Sequence, residues 1–146
     1  MSRIDVLRPF IEKNLAVLLE QEHVAPDADG EYSYPHGSAE ITIRLVDEPV
    51  PLLQLSAVLV SGVKKKTRLL EALNDVNATE TGVRAFRFED LLIAAWDVPA
   101  DTLDPRQFLE ICHRFADMAD RLDTTLARKF GGKTARADAD DEAVDA

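Results

Sequence analysis

The sequence of 146 residues lacks several features that mark common classes of protein. It has a single cysteine, Cys112, so an intrachain disulfide is impossible. No apolar run approaches the roughly 18 residues that a membrane span needs. Charges at Arg3, Asp5 and Arg8 interrupt the first ten residues, so no signal peptide is predicted. These absences predict a cytoplasmic protein that does not enter a membrane.

Basic side chains are also scarce, since 17 lysines and arginines stand against 27 aspartates and glutamates, which leaves a net charge of −10. An acidic surface repels phosphate backbones, so nucleic acid is not predicted as a partner. Phe86, Phe88 and Trp96 could stack on bases, but such surfaces need surrounding positive charge. We therefore interpret these aromatic residues as part of a core or a protein interface.

The residues that could carry chemistry do not form a recognisable motif. Cys112 neighbours His113, but adjacent residues of a helix point about 100° apart and cannot act as nucleophile and base. Cys112 is therefore interpreted as a buried core thiol. His23 and His36 lie in an acidic loop region, and a metal site there would require three or four ligands to converge. A polar turn is the simpler interpretation, and no catalytic residue, metal ligand or cofactor is predicted.

Hydrophobic periodicity predicts the order of secondary structure. Helical spacing favours a first helix from about Ile4 to Leu18, a second from Val63 to Val76 capped by Ser61, and a third that Asp104 caps and Gly131 ends. Alternating apolar residues predict five strands, at Glu31–Tyr34, Glu40–Val46, Leu52–Val60, Val83–Phe88 and Leu91–Val98. The order α-β-β-β-α-β-β-α predicts an α+β fold with an antiparallel sheet flanked by helices.

The chain is predicted to form one domain over residues 1–132, followed by a tail over residues 133–146. The tail carries five acidic and two basic side chains, a net charge of −3, and it has no apolar periodicity. Such a composition is typical of a disordered segment, so we predict a disordered acidic tail.

Two segments are candidates for contact with a partner. The predicted central strand is apolar on both faces, and its second face carries Leu52, Val58 and Val60. Together with Trp96 these residues are predicted either to bind a partner or to form an ordinary covered core. Lys64, Lys65 and Lys66 lie beside the N-terminus of the second helix, where three cations oppose the helix dipole. They either contact an anionic partner or are neutralised by nearby carboxylates.

Several motifs resemble those of the YbjN-like family, also described as bacterial sensory transduction regulators or TY-Chap domains. The resemblance covers about residues 60–132 and rests on LLEALNDVN (Leu69–Asn77), on Gly82-Val83-Arg84 opening a strand, on WDVPADTLDPRQF (Trp96–Phe108) and on FGG (Phe130–Gly132). The order of elements is similar to the type III secretion chaperone fold. The resemblance implies a small acidic dimer that binds other proteins through apolar sheet or helix surface, and it carries over no catalytic residue.

Within these motifs, Asn74 and Asn77 are predicted to cap the helix or to form a turn, with contact to a ligand as the alternative. The combined prediction is a non-enzymatic protein-binding module, chaperone-like or regulatory, that acts as a homodimer. The alternative is a small-ligand sensor with a pocket between the sheet and the last helix.

Overall fold

The computed structural model describes residues 3–47, 50–64 and 66–136. The elements are α1 (Arg3–Leu19), β1 (Tyr32–His36), β2 (Ala39–Val46), β3 (Leu52–Val60), α2 (Thr67–Thr79), β4 (Arg84–Phe88), β5 (Leu91–Pro99) and α3 (Pro105–Phe130). This order confirms the predicted α+β class and the predicted succession of helices and strands. No helix in the described ranges is long and apolar enough to cross a bilayer.

The five strands form one antiparallel sheet in the order β1-β2-β3-β5-β4, which confirms β3 as the central strand. Residues paired across neighbouring strands project from the same face of a sheet. Pairs such as Ile43 with Leu55 and Ala57 with Ala94 are buried beneath the helices, and we call this side the inner face. The opposite side, which no helix covers in the described part of the chain, is the outer face.

The last helix covers the inner face and begins where the sequence predicts. Asp104 and Gln107 form a reciprocal capping box, in which the Gln107 amide donates to Asp104 Oδ1 over 2.8 Å and the Asp104 amide donates to Gln107 Oε1 over 3.1 Å. Phe108 and Phe115 are fully buried against the sheet. The first helix packs on α3 through an edge-to-face contact between Phe10 and Phe108, whose ring centroids are 6.0 Å apart.

The second helix begins later than predicted. It starts at Thr67 rather than Val63, and Ser61 does not cap it. The preceding residues are held in extended form, because Ser61 pairs with Lys133 in an antiparallel bridge and the Val63 amide donates to the Asp90 carbonyl over 3.0 Å. Local periodicity contains no sign of these long-range bonds, so the predicted start of this helix is wrong.

Beyond α3 the chain turns back across the end of the sheet. Gly132 has a φ of +91° and passes so close to β3 that a β-carbon would lie 2.5 Å from the Ser61 carbonyl oxygen. The Arg136 amide then donates to the Ser38 carbonyl over 3.0 Å. Of the predicted tail, residues 133–136 therefore contact the domain and residues 137–146 lie outside the described residues, so the disordered tail stays a prediction.

Candidate functional site

The outer face carries an apolar patch that is open to solvent. Val58, Ile93 and Phe86 form a continuous row across β3, β5 and β4, and the pair of Phe88 with Leu91 extends it. Val58 is 38% exposed, Phe86 37% and Phe88 59%. We call these five residues the outer patch. Exposed aromatic rings that lie together on one face are typical of an interaction surface rather than of scattered surface residues.

A polar band separates Leu52 from the outer patch. Leu52 pairs with Val46 and Pro99 at the opposite end of the same face. Between them, Asp97 accepts hydrogen bonds from Gln54 Nε2 over 3.0 Å and from Arg84 Nη1 over 2.8 Å. Leu52 and Val58 thus lie on the predicted common face, but the structure does not bring them together.

Val60 does not lie on that face. A β-bulge between Val58 and Val60 shifts the register by one residue, so Val60 pairs with buried Leu92 on the inner face. Its side chain is fully buried beside Gly132. The prediction that Val60 shares a face with Val58 is wrong, because it assumed strict alternation along the strand and the sequence pattern does not reveal the bulge.

Trp96 also lies on the inner face, where it pairs with Leu55. Its indole packs against Gly82, at which a β-carbon would stand 2.7 Å from Nε1. The ring is half-buried in a groove of about 350 Å³ between β5 and the first half of α3, which we call the β5–α3 groove. Trp96 is therefore separate from the outer patch and belongs to a second surface.

The predicted lysine cluster lies in the connection before α2. Lys66 is the residue that precedes the first helical turn, and its side chain makes no capping hydrogen bond. Lys66 lines a surface depression with Arg68, Lys129, Glu71 and Asp75. The carboxylates of Glu71 and Asp75 offset part of the positive charge there. Lys64 is exposed, and Lys65 lies outside the described residues. An anionic partner for this segment stays a prediction.

The thiol and imidazole side chains do not form a catalytic pair. Cys112 is fully buried, and burial raises the pKa of its thiol to about 12, an effect that the neighbouring Tyr34 hydroxyl opposes. The thiol is therefore protonated at neutral pH, as a core residue should be. His113 is exposed, and His36 pairs with Asp117 over 2.8 Å. In ranges 3–47, 50–64 and 66–136 no group of three His, Cys, Asp or Glu side chains could hold a metal ion.

A buried carboxyl group fixes the turn between β1 and β2 to α3. Asp123 is fully buried, and its two carboxyl oxygens lie 2.7 Å and 2.9 Å from the Ser38 hydroxyl. Thr124 Oγ1 lies 3.1 Å from one of them, and the Ser38 amide donates to Asp120 over 2.9 Å. Burial raises the pKa of Asp123, while the hydrogen bonds from Ser38 and Thr124 act in the opposite direction.

Asn77 has a role that sequence patterns did not predict. Its side-chain amide accepts from the Ala85 backbone amide over 2.6 Å and donates to the Ala85 carbonyl over 3.0 Å. Asn77 thus attaches α2 to β4 at the free edge of the sheet, instead of capping its own helix. The residue was recognisable as part of a motif, but its partner is eight positions away across a turn.

Replacement of Asn77 by alanine is expected to lower the free energy of unfolding by about 1–2 kcal/mol, because both backbone groups of Ala85 lose their hydrogen bonds. Urea unfolding followed by circular dichroism measures the change. Asn74→Ala is the matched control, since Asn74 is exposed on the same helix. Equal stability of the two variants would show that the Ala85 bonds contribute nothing.

Comparison with known proteins places this geometry in context. The family described as T3SS (YopN, CesT) and YbjN peptide-binding chaperone 1, TY-Chap1, matches residues 5–138. A search of curated proteins gives no match. A chain of the ExsC–ExsE complex is similar in fold, with 18% identity over 85% of this chain and 96% of that chain and a TM-score of 0.67. A chain of the HopA1–SchA chaperone–effector complex has 14% identity over 83% and 98% and a TM-score of 0.58.

Proposed function

The chain belongs to the TY-Chap1 family of peptide-binding chaperones, and from this premise we propose that it is a non-enzymatic, cytoplasmic module that binds a partner polypeptide. Its mechanism is the burial of apolar sheet surface, either against that partner or against a second copy of itself. The acidic composition keeps the unliganded protein soluble and disfavours nucleic acid.

The outer patch is the observation that supports this proposal. Val58, Ile93 and Phe86 sit side by side on a sheet face that no helix of the described residues covers, and Phe88 is more than half exposed beside them. Removing apolar surface from water on binding contributes about 25 cal/mol of favourable free energy per Å². A surface that combines exposed aromatic and aliphatic side chains and is bordered on one side by a polar band has the composition of a protein interface.

The outer patch also suits a homodimer. A twofold interface uses the same surface patch on both copies, so an apolar patch on a sheet face can pack against its own counterpart. Stable interfaces bury about 1,600 Å² in total, or roughly half of that on each partner. The outer patch offers a continuous apolar face across β3, β5 and β4.

Val58→Asp is expected to abolish dimerisation or partner capture and to leave the domain folded. A carboxylate at this position would have to lose its water inside an apolar interface, whereas in the free domain the side chain is already 38% exposed. We expect at least a tenfold loss of association, which corresponds to about 1.4 kcal/mol. Sedimentation equilibrium and co-purification of bound protein from the native cell measure the loss.

Thr42→Asp is the matched control, because Thr42 lies on the same face, one strand away from Val58 and outside the outer patch. It adds the same charge and should leave association unchanged. If Val58→Asp unfolds the domain, Val58 is a core residue and the proposal fails. Equal effects of the two variants would indicate general charge repulsion rather than a specific surface.

A small-ligand sensor remains the second candidate function, and the β5–α3 groove is the observation that favours it. The groove lies between the sheet and the last helix, where a sensor pocket was predicted. A metabolite that binds there would raise the melting temperature. However, exposed Pro99, Thr102 and Arg114 line a groove that is open to solvent, which suits a polypeptide better than an enclosed ligand.

A further inference from the structure

Two segments of this acidic chain are basic and contain no acidic residue. They are residues 61–70 and residues 124–136. Together they hold eight of the 17 basic residues: Lys64, Lys65, Lys66, Arg68, Arg128, Lys129, Lys133 and Arg136. Nearly half of the positive charge is thus concentrated in two short stretches that are far apart in the sequence.

The fold joins the two basic segments beyond the end of β3. Ser61 and Lys133 form an antiparallel bridge, in which the Ser61 amide donates to the Lys133 carbonyl over 2.8 Å and the Lys133 amide donates to the Ser61 carbonyl over 2.9 Å. Lys66 and Arg68 also line one surface depression with Lys129. We call Lys64, Lys66, Arg68, Lys129 and Lys133 the basic strip.

The folded domain does not neutralise the basic strip. All five cations are exposed, and none of them forms an ion pair with a carboxylate of the described residues. Glu71 and Asp75 line the depression, and the Asp90 carbonyl accepts a hydrogen bond from the Val63 amide, so acidic residues do stand beside the strip. They are fewer than its cations, and the strip keeps an excess of positive charge.

The residues that follow the second basic segment have the opposite charge. Residues 137–146, which we call the acidic segment, contain no basic residue and five acidic ones: Asp138, Asp140, Asp141, Glu142 and Asp145. Their covalent attachment to Arg136 holds them near the strip at an effective concentration of the order of millimolar. The remainder of the chain is acidic and repels them.

The acidic segment is long enough to reach the far end of the basic strip. Arg136 and Lys64 are each three residues away from the bridge between Ser61 and Lys133, so their Cα atoms are at most about 26 Å apart. Nine extended residues span about 30 Å. Carboxylates up to Asp145 can therefore reach Lys64 without any change in the fold.

We propose that the acidic segment binds the basic strip of its own chain and covers it. The lysines before α2 are thus neutralised by carboxylates of the same chain rather than by a partner. The contact is electrostatic, needs no regular structure in the acidic segment, and closes the strip to other anionic molecules until the segment is displaced. It uses none of the five residues of the outer patch, so it does not depend on the proposed association.

A spin label at the end of the chain tests the contact in the full-length protein. Cys112 is fully buried, so a nitroxide reagent reacts with a cysteine introduced as Ala146→Cys. We expect the amide signals of Thr67 and Arg68 to lose more than half of their NMR intensity at about 20 mM salt. They should recover at about 0.5 M salt, which screens exposed charges within a few ångströms.

A triple variant assigns the contact to the basic strip. Lys64→Gln, Lys66→Gln and Lys133→Gln together remove three exposed cations and leave the backbone bridge to Ser61 in place. In this variant the signals of Thr67 and Arg68 should recover at least half of their lost intensity at low salt.

A second triple variant is the matched control. Lys13→Gln, Arg44→Gln and Arg106→Gln remove the same charge from exposed residues that lie outside the strip and form no ion pair with a described residue. The control should keep the full loss of intensity at Thr67 and Arg68.

A separate peptide measures how far the strip is closed. The peptide has the sequence of residues 137–146 and carries a fluorescent label. In a full-length neutral variant the five acidic residues of the acidic segment become Asn or Gln. The peptide should bind this variant about tenfold more tightly than wild type, because in wild type the attached segment competes for the strip.

Four results would overturn the proposal. Without the contact, intensity losses would be confined to residues around Ser38, to which the last described residue, Arg136, donates a hydrogen bond. The second result is equal recovery in both triple variants, and the third is equal peptide affinity of wild type and the neutral variant. The fourth is intensity loss in an isotope-labelled chain that is mixed with separate spin-labelled chains, which would assign the contact to a second copy.

Discussion

Phe108→Ala is expected to lower the free energy of unfolding by about 3–5 kcal/mol, which is a large share of the stability of a small domain. Phe108 is fully buried at the start of α3 and makes the edge-to-face contact that joins this helix to Phe10 of α1. Its removal leaves a cavity at the junction of two helices and the sheet. Urea unfolding monitored by the helical circular dichroism signal measures the loss.

Phe88→Ala is the matched control, since it deletes the same group from an exposed position on the outer face. We expect it to change stability by less than about 0.5 kcal/mol, as is usual for surface sites. Comparable losses in both variants would contradict the division of the sheet into a packed inner face and a free outer face. Phe88→Ala should instead weaken association through the outer patch.

Ser38→Ala is expected to lower the free energy of unfolding by about 1–3 kcal/mol at neutral pH, because the buried Asp123 carboxylate loses its closest hydrogen-bond donor. The loss should depend on pH. Burial raises the folded-state pKa of Asp123, so the native state holds the proton of the Asp123 carboxyl group more tightly than the unfolded chain does. The resulting stabilisation is full below the ordinary aspartate pKa and disappears as pH rises through the folded-state value.

Without the Ser38 hydroxyl the pKa of Asp123 should rise further, because that hydrogen bond favours the charged form. The difference in stability between Ser38→Ala and wild type should therefore grow from acidic to neutral pH. Urea unfolding of both proteins across this pH range measures the difference in stability. Asp123→Asn is the control because the asparagine side chain has no carboxyl proton to release. A difference that stays constant with pH would show that Asp123 is not the group involved.

Much of the fold could be predicted from the sequence because its signals are local. The start of α3 depends on Asp104, Pro105 and Gln107, which lie within one turn and act through short hydrogen bonds. The β4–β5 hairpin likewise depends on alternation, which correctly placed Phe86 and Phe88 on the face opposite to buried Ala85. Such patterns need no knowledge of the rest of the chain.

The candidate sites were less predictable because they depend on distant contacts. Val60 changes face through a bulge, and Trp96 stands in a strand that is apolar on both sides, so alternation could not assign its face. Asn77 bonds to a backbone that only the hairpin brings near.

The bonds from Asn77 to Ala85 also limit how copies of this chain can assemble. An open edge strand offers backbone groups to which further strands can be added without limit. At one edge of the sheet the Asn77 side chain already bonds to the backbone amide and carbonyl of Ala85. At the other edge β1 contains Pro35, which has no amide proton. Addition of a further strand is therefore disfavoured at Ala85 on one edge and at Pro35 on the other.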